Sequence, residues 1–126
     1  MVAPSVGEVI LVPFPFSDLS ATRLRPAVCL AAAGRGDWVR CQITSNSYGD
    51  PDAIPLSAAD FAAGGLLVAS VARPGKLFTA NTSLMVRSVG KLTDAAANRI
   101  LDAVIRLLRP GPSPPAGGAS PSPPQP

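Results

Sequence analysis

What most limits the fold of this chain is the way its apolar residues are parcelled out. Between Gly7 and Leu92 they come in short runs closed by glycine or proline clusters, and a 3.6-residue rhythm begins only after Thr93. Strand-length runs separated by turn signals, without alternation of strand and helix, exclude a parallel sheet built from βαβ units. They predict a mainly β chain, folded as a small antiparallel barrel or sandwich with one C-terminal amphipathic helix.

The segments read as follows. GEVILVPFPF, from Gly7 to Phe16, is a buried strand closed by its two prolines, which cannot donate to a sheet ladder. A polar loop, Ser17 to Leu24, carries Arg23. Arg25-Pro26 then leads into AVCLAAA, a second strand that stops at Gly34-Arg35-Gly36-Asp37. Trp38 to Ser45 alternates cleanly: Val39, Cys41 and Ile43 turn to the core, while Trp38, Arg40, Gln42 and Thr44 share a polar face. NSYGDPD is a loop, Ala53 to Leu56 a short strand, and Ser57 to Phe61 one helical turn ended by Gly64-Gly65. Leu66 to Arg73 reads as a strand, Pro74-Gly75 as a type II turn, Lys76 to Ala80 as the antiparallel return, and Leu84 to Leu92 as the last strand. Thr93 caps a helix that buries Ala97, Ile100, Leu101, Val104, Leu107 and Leu108 and turns Asn98, Arg99, Asp102 and Arg106 to water, with Pro110 ending it.

Residues 1–109 therefore form one domain. The remainder, 110–126, reads PGPSPPAGGASPSPPQP; it has no apolar side chain larger than proline with which to offset the entropy of ordering, and is expected to be a disordered tail. The longest apolar run, Pro26 to Ala33, is far short of the ~20 residues of a membrane-spanning helix, and the start lacks a basic leader, so a cytoplasmic location is expected. Cys29 and Cys41 fall inside apolar strands and read as reduced core residues. The net charge is +3, carried almost entirely by arginine, which suits a polyanionic partner through bidentate phosphate contacts and stacking.

The chain has no histidine, which excludes histidine triads, histidine zinc sites and a histidine acid/base pair. No GxxxxGK[ST] loop is present, and the few carboxylates form no acidic cluster. Neither a metal nor another cofactor is expected. What remains is a set of arginines near strand ends, Arg25, Arg40 and Arg73, with Thr44 on the polar strand face. A guanidinium can clamp a phosphate and stabilise charge developing on it.

GEVILVPFPFSDLSATRLRPAVCL, then CQITSNSYG, then GGLLVASVARPGKLF followed by VGKLT, resemble in order and spacing the successive blocks of the MazF/PemK toxin family, from Val6 to about Leu108. The resemblance implies an SH3-like barrel with a C-terminal helix, shared with the gyrase-poisoning CcdB toxins, and a homodimer whose loops frame an RNA groove. It implies a metal-independent endoribonuclease of a toxin–antitoxin system, cutting single-stranded messenger RNA by attack of the ribose 2'-hydroxyl on its neighbouring phosphate. It also implies a cognate antitoxin whose acidic, disordered tail folds into that groove. The alternatives are a non-catalytic CcdB-like gyrase inhibitor, or a degenerate member that binds RNA or antitoxin without cutting. Carried over by position, Arg25 and Thr44 are the catalytic residues, and Arg23, Arg40, Gln42, Ser45, Arg73 and Lys76 are expected to meet RNA. Ser20 and Gly75 stand where some members carry an acid or base, which leaves Asp18 as the carboxylate candidate in the first loop.

Overall fold

In a computed structural model, residues 3–15, 22–109 and 111 are described. Residues 16–21, with Asp18 and Ser20, lie outside them, as do Pro110 and the expected tail from residue 112. Seven strands make one antiparallel sheet: β1 (Glu8–Pro15), β2 (Thr22–Gly34), β3 (Asp37–Thr44), β4 (Ile54–Leu56), β5 (Phe61–Gly64), β6 (Ser70–Asn81) and β7 (Arg87–Leu92), followed by helix α1 (Asp94–Leu108). Their order in the sheet is β4-β6-β3-β2-β1-β7-β5. The helix packs on β6 and β4 near one end of that order and on β7 near the other, which is possible only because the sheet curls into a half-barrel around it.

Burial on both sheet faces follows from the curl. Inside it, Val9, Val28, Cys41, Ile43 and Leu92 pack on Ile100 and Val104 of the helix. On the opposite face Ile10, Val12, Ala27, Cys29 and Met85 form a second cluster, against which Trp38 and Phe78 pack. The helix begins as the sequence indicates: the Thr93 hydroxyl accepts from the Ala96 amide at 3.2 Å. A 3₁₀ turn at Ala58–Asp60 anchors it, since Asp60 meets Arg99 at 2.8 Å and the Asp60 carbonyl accepts from the Thr93 amide.

Several sequence expectations are corrected. Pro13 and Pro15 do not close β1 but lie within it, opposite Leu24 and Thr22. The Leu11 carbonyl points toward β7, accepting from Val86 at 2.9 Å, and residues two and four further on share that edge. The prolines thus turn their donor-less nitrogens away from β2, beyond the last β7 partner of β1, Leu11↔Arg87. Consequently Thr22–Leu24, expected in the loop, already belong to β2.

Pro74-Gly75 makes no turn, and β6 runs through it as one strand. Cys41 pairs with Leu77 and Ile43 with Ala72, so Arg73 to Lys76 face Gln42 alone; the bulge accommodates a proline that has no N–H to give. Residues 66–69 lie outside any strand. On α1 the buried face is Ala96, Ala97, Ile100, Ala103 and Val104, whereas Leu101, Leu107 and Leu108 are exposed. Leu101 and Leu108 stand with exposed Ile105 on a stripe one residue, about 100°, round from Ile100, and the small alanines set which side approaches the sheet.

Candidate active site

β2 and β3 are held in register by the tight hairpin at Arg35 and Gly36, both with positive φ, the conformation a two-residue turn requires between right-twisted strands. Ala27 faces Gln42 and Val28 faces Cys41. The β2–β3 pairing ends at Ala27 and Gln42, and Arg25, near the start of β2, and Thr44, the last residue of β3, lie two residues beyond that end on either strand. Their side chains share the sheet face of Ala27 and Cys29, because residues two apart point the same way. Both residues, with Ser45, line a cavity of about 150 Å³ at the rim of the half-barrel. Leu66 to Val68, between β5 and β6, supply its apolar wall. An arginine against such a wall acts on a bound anion through less water than it would on an open surface.

Thr44 is 4% exposed, and its hydroxyl accepts from the Asn46 amide at 3.2 Å. A hydroxyl that accepts in this way still has its proton to give, so Thr44 can donate to an oxygen in the cavity. Among the described residues no carboxylate lines the cavity, and the chain holds no histidine. Among the described residues no group of three His, Cys, Asp or Glu side chains could hold a metal ion.

The remaining expected RNA contacts divide. Arg23 is exposed on β2, two residues from Arg25 on the same face, and Lys76 is exposed within the β6 bulge. Arg73 Nε donates to Asp50 Oδ2 at 3.0 Å, and its guanidinium lies 5.1 Å from the centre of the Tyr48 ring. The Asp52 amide and the Arg73 guanidinium, both donating to it, hold the Asp50 carboxyl below the usual carboxylate range. Asp50 and Tyr48 were not singled out by sequence as partners of Arg73. They sit in the polar NSYGDPD loop, 23 residues or more away along the chain, where only tertiary folding joins them.

Arg40 and Gln42 require a correction. The alternation of β3 is as expected, but the face they occupy is covered. Arg40 is fully buried, opposite Cys29 on one side and Phe78 on the other, and Gln42 is 9% exposed. None of the three Arg40 guanidinium nitrogens has a hydrogen-bond partner among the described residues, nor has Gln42 Oε1. Burial lowers the Arg40 pKa, with Cys29 acting in the opposite sense. Unlike Thr44, neither side chain lines the cavity. A polar residue on the second face of a strand reads as solvent-facing only while that face is assumed bare.

No protein-family model and no curated protein sequence matches the chain. Solved structures do. A mycobacterial endoribonuclease in complex with its cognate antitoxin is 21% identical, with 89% of this chain and 100% of that one covered at a TM-score of 0.63. The toxin of a MazE-MazF structure from Deinococcus radiodurans superposes at 0.70, with 19% identity and coverage of 88% and 100%. The Mycobacterium tuberculosis toxin MazF-mt6 is 15% identical, with 80% and 95% covered and a TM-score of 0.61. The chain thus has the fold of the MazF toxins, a mainly β half-barrel with a C-terminal helix. At these identities the likeness is one of fold. Among the described residues no helix is long and apolar enough to cross a membrane.

Proposed function

We propose that this chain is the toxin of a toxin–antitoxin pair and acts as an endoribonuclease on single-stranded messenger RNA. The observation that carries the reading is that Arg25 of β2 and Thr44 of β3 line one small cavity in a MazF fold. In this reading the 2'-hydroxyl of one ribose gives its proton to solvent and its oxygen attacks the adjacent phosphorus, while the bond to the 5'-oxygen breaks and that oxygen takes a proton from solvent. A 2',3'-cyclic phosphate and a 5'-hydroxyl result. Arg25 stabilises the extra negative charge on the pentacoordinate phosphate, and the Thr44 hydroxyl donates a hydrogen bond to a phosphate oxygen. Arg23 contacts the chain alongside. A cognate antitoxin and a homodimer belong to the same reading, with residues 1–109 as the toxin domain and 110–126 as an appended tail.

The test is incubation of the purified full-length chain with a long unstructured RNA in EDTA, followed by mapping of the ends. Cleavage with 5'-hydroxyl ends is expected to survive chelation and to fall roughly 10²–10³-fold in Arg25→Ala, the effect of removing one preorganised charge stabiliser. RNA left whole by the wild type, with DNA gyrase supercoiling blocked, would replace the ribonuclease with a gyrase poison of the same fold.

A further inference from the structure

The loop after Thr44 carries an aromatic side chain unlike the others described. Trp38, Phe61 and Phe78 are packed against the two cores, whereas Tyr48 is 60% exposed. One face of its ring is backed by the Arg73 guanidinium at 5.1 Å. That guanidinium is itself held by Asp50 at 3.0 Å, and Asp50 is fixed by the Asp52 amide at 2.9 Å. Three groups in series therefore back one face of an exposed ring.

The backbone is equally constrained. Tyr48 has φ 54, a left-handed conformation that costs a bulky residue energy and persists only where its surroundings over-determine it. The constraint is a chain of bonds from the cavity: the Asn46 amide donates to Thr44 Oγ1, and the Tyr48 amide donates to Asn46 Oδ1 at 2.8 Å. The residue that lines the proposed phosphate cavity thus also sets the position of the exposed ring.

We propose that Tyr48 is a base-stacking platform: one nucleobase of single-stranded RNA, next to the phosphate held at Arg25 and Thr44, stacks on the ring face opposite Arg73. The inference rests on the ribonuclease reading and deepens it by assigning a base subsite. RNA is favoured over a protein partner because a fixed, cation-backed ring beside a basic cavity matches the alternation of flat base and phosphate along a single strand. Such stacking accepts any base, so it contributes affinity and register more than sequence choice.

The test measures binding, independently of cutting, with a fluorescein-labelled randomised single-stranded RNA bearing 2'-O-methyl groups, which lack the attacking hydroxyl. Tyr48→Phe should bind as the wild type does. Tyr48→Ala and Tyr48→Leu should lose roughly 5–150-fold in affinity, the worth of one base–aromatic stack. Their thermal melts should match the wild type, because the ring is exposed. The salt dependence of binding should keep its slope in Tyr48→Ala, since stacking releases no counterions, and should become shallower in Arg25→Ala. Unchanged RNA affinity in Tyr48→Ala would overturn the platform alone and assign the ring to a protein partner. A wild type that binds no RNA would overturn the ribonuclease reading together with it.

Discussion

Replacing Arg40 by methionine should stabilise this domain. The side chain is fully buried beside Cys29 and Phe78, and its three guanidinium nitrogens find no hydrogen-bond partner among the described residues. Withdrawing a charge from water costs several kcal/mol after relaxation, and good geometry with a counter-charge is needed to offset it. Methionine retains most of the aliphatic stem, adapts to the space left by the guanidinium, and removes the charge. Replacing buried charged groups by apolar residues of similar volume gains about 1–4 kcal/mol where it has been favourable. For a domain of about 100 residues each kcal/mol moves the midpoint by about 4–8 °C, so Tm should rise by about 4 °C or more. Urea unfolding followed by the fluorescence of Trp38, on the same cluster, should show a higher midpoint with an unchanged slope. Protein concentration must be held constant, because any self-association would shift both curves. A loss of about 3–5 kcal/mol, the cost of breaking a buried ion pair from one side, would refute the reasoning and show that Arg40 has a charged partner.

Two further outcomes follow from titratable groups. The Asp60 carboxyl is held below its ordinary value by Arg99 and by the Ser57 amide, so its stabilisation is present above the unfolded pKa of about 3.9 and is lost as pH falls through the lower native value. Asp60→Asn should cost about 1 kcal/mol at neutral pH and flatten the acid limb of a stability profile; parallel acid limbs in variant and wild type would contradict this. Burial pushes the Cys29 thiol up to about 11 and that of Cys41 to about 12. Unfolded thiols ionise near about 8.5, so this contribution is complete below that pH and is lost as pH rises toward the native values. Both should resist a disulfide reagent at mildly alkaline pH until denaturant is added, and rapid labelling of the native chain would count against their burial.

Much of the architecture was legible in local patterns. Thr93 as a cap, the Gly34 to Asp37 hairpin turn, the alternation of β3 and the terminal helix each depend on residues within a few positions of one another. Pro74-Gly75 was misread because a proline marks either a turn or a bulge, and only the pairing partner distinguishes them. Leu101, Leu107 and Leu108 were assigned to the core because apolar character ranks faces by bulk. The sheet selected the alanine side, which permits closer approach.

The candidate site divides in the same way. Sequence by itself determined the reagents: no histidine, a set of arginines, and Thr44 on the face opposite Cys41 and Ile43. Those properties are set by composition and by the two-residue period of a strand. Tertiary structure decided which reagents are available. The fold brings Arg25 and Thr44 to the wall of one cavity, the covered second face buries Arg40 and Gln42 away from that cavity, and the return of β6 beside the β3–β4 loop brings Arg73 between Asp50 and Tyr48. Solvent exposure and long-range pairing depend on what lies across the sheet, and a strand's own periodicity carries no record of its neighbours.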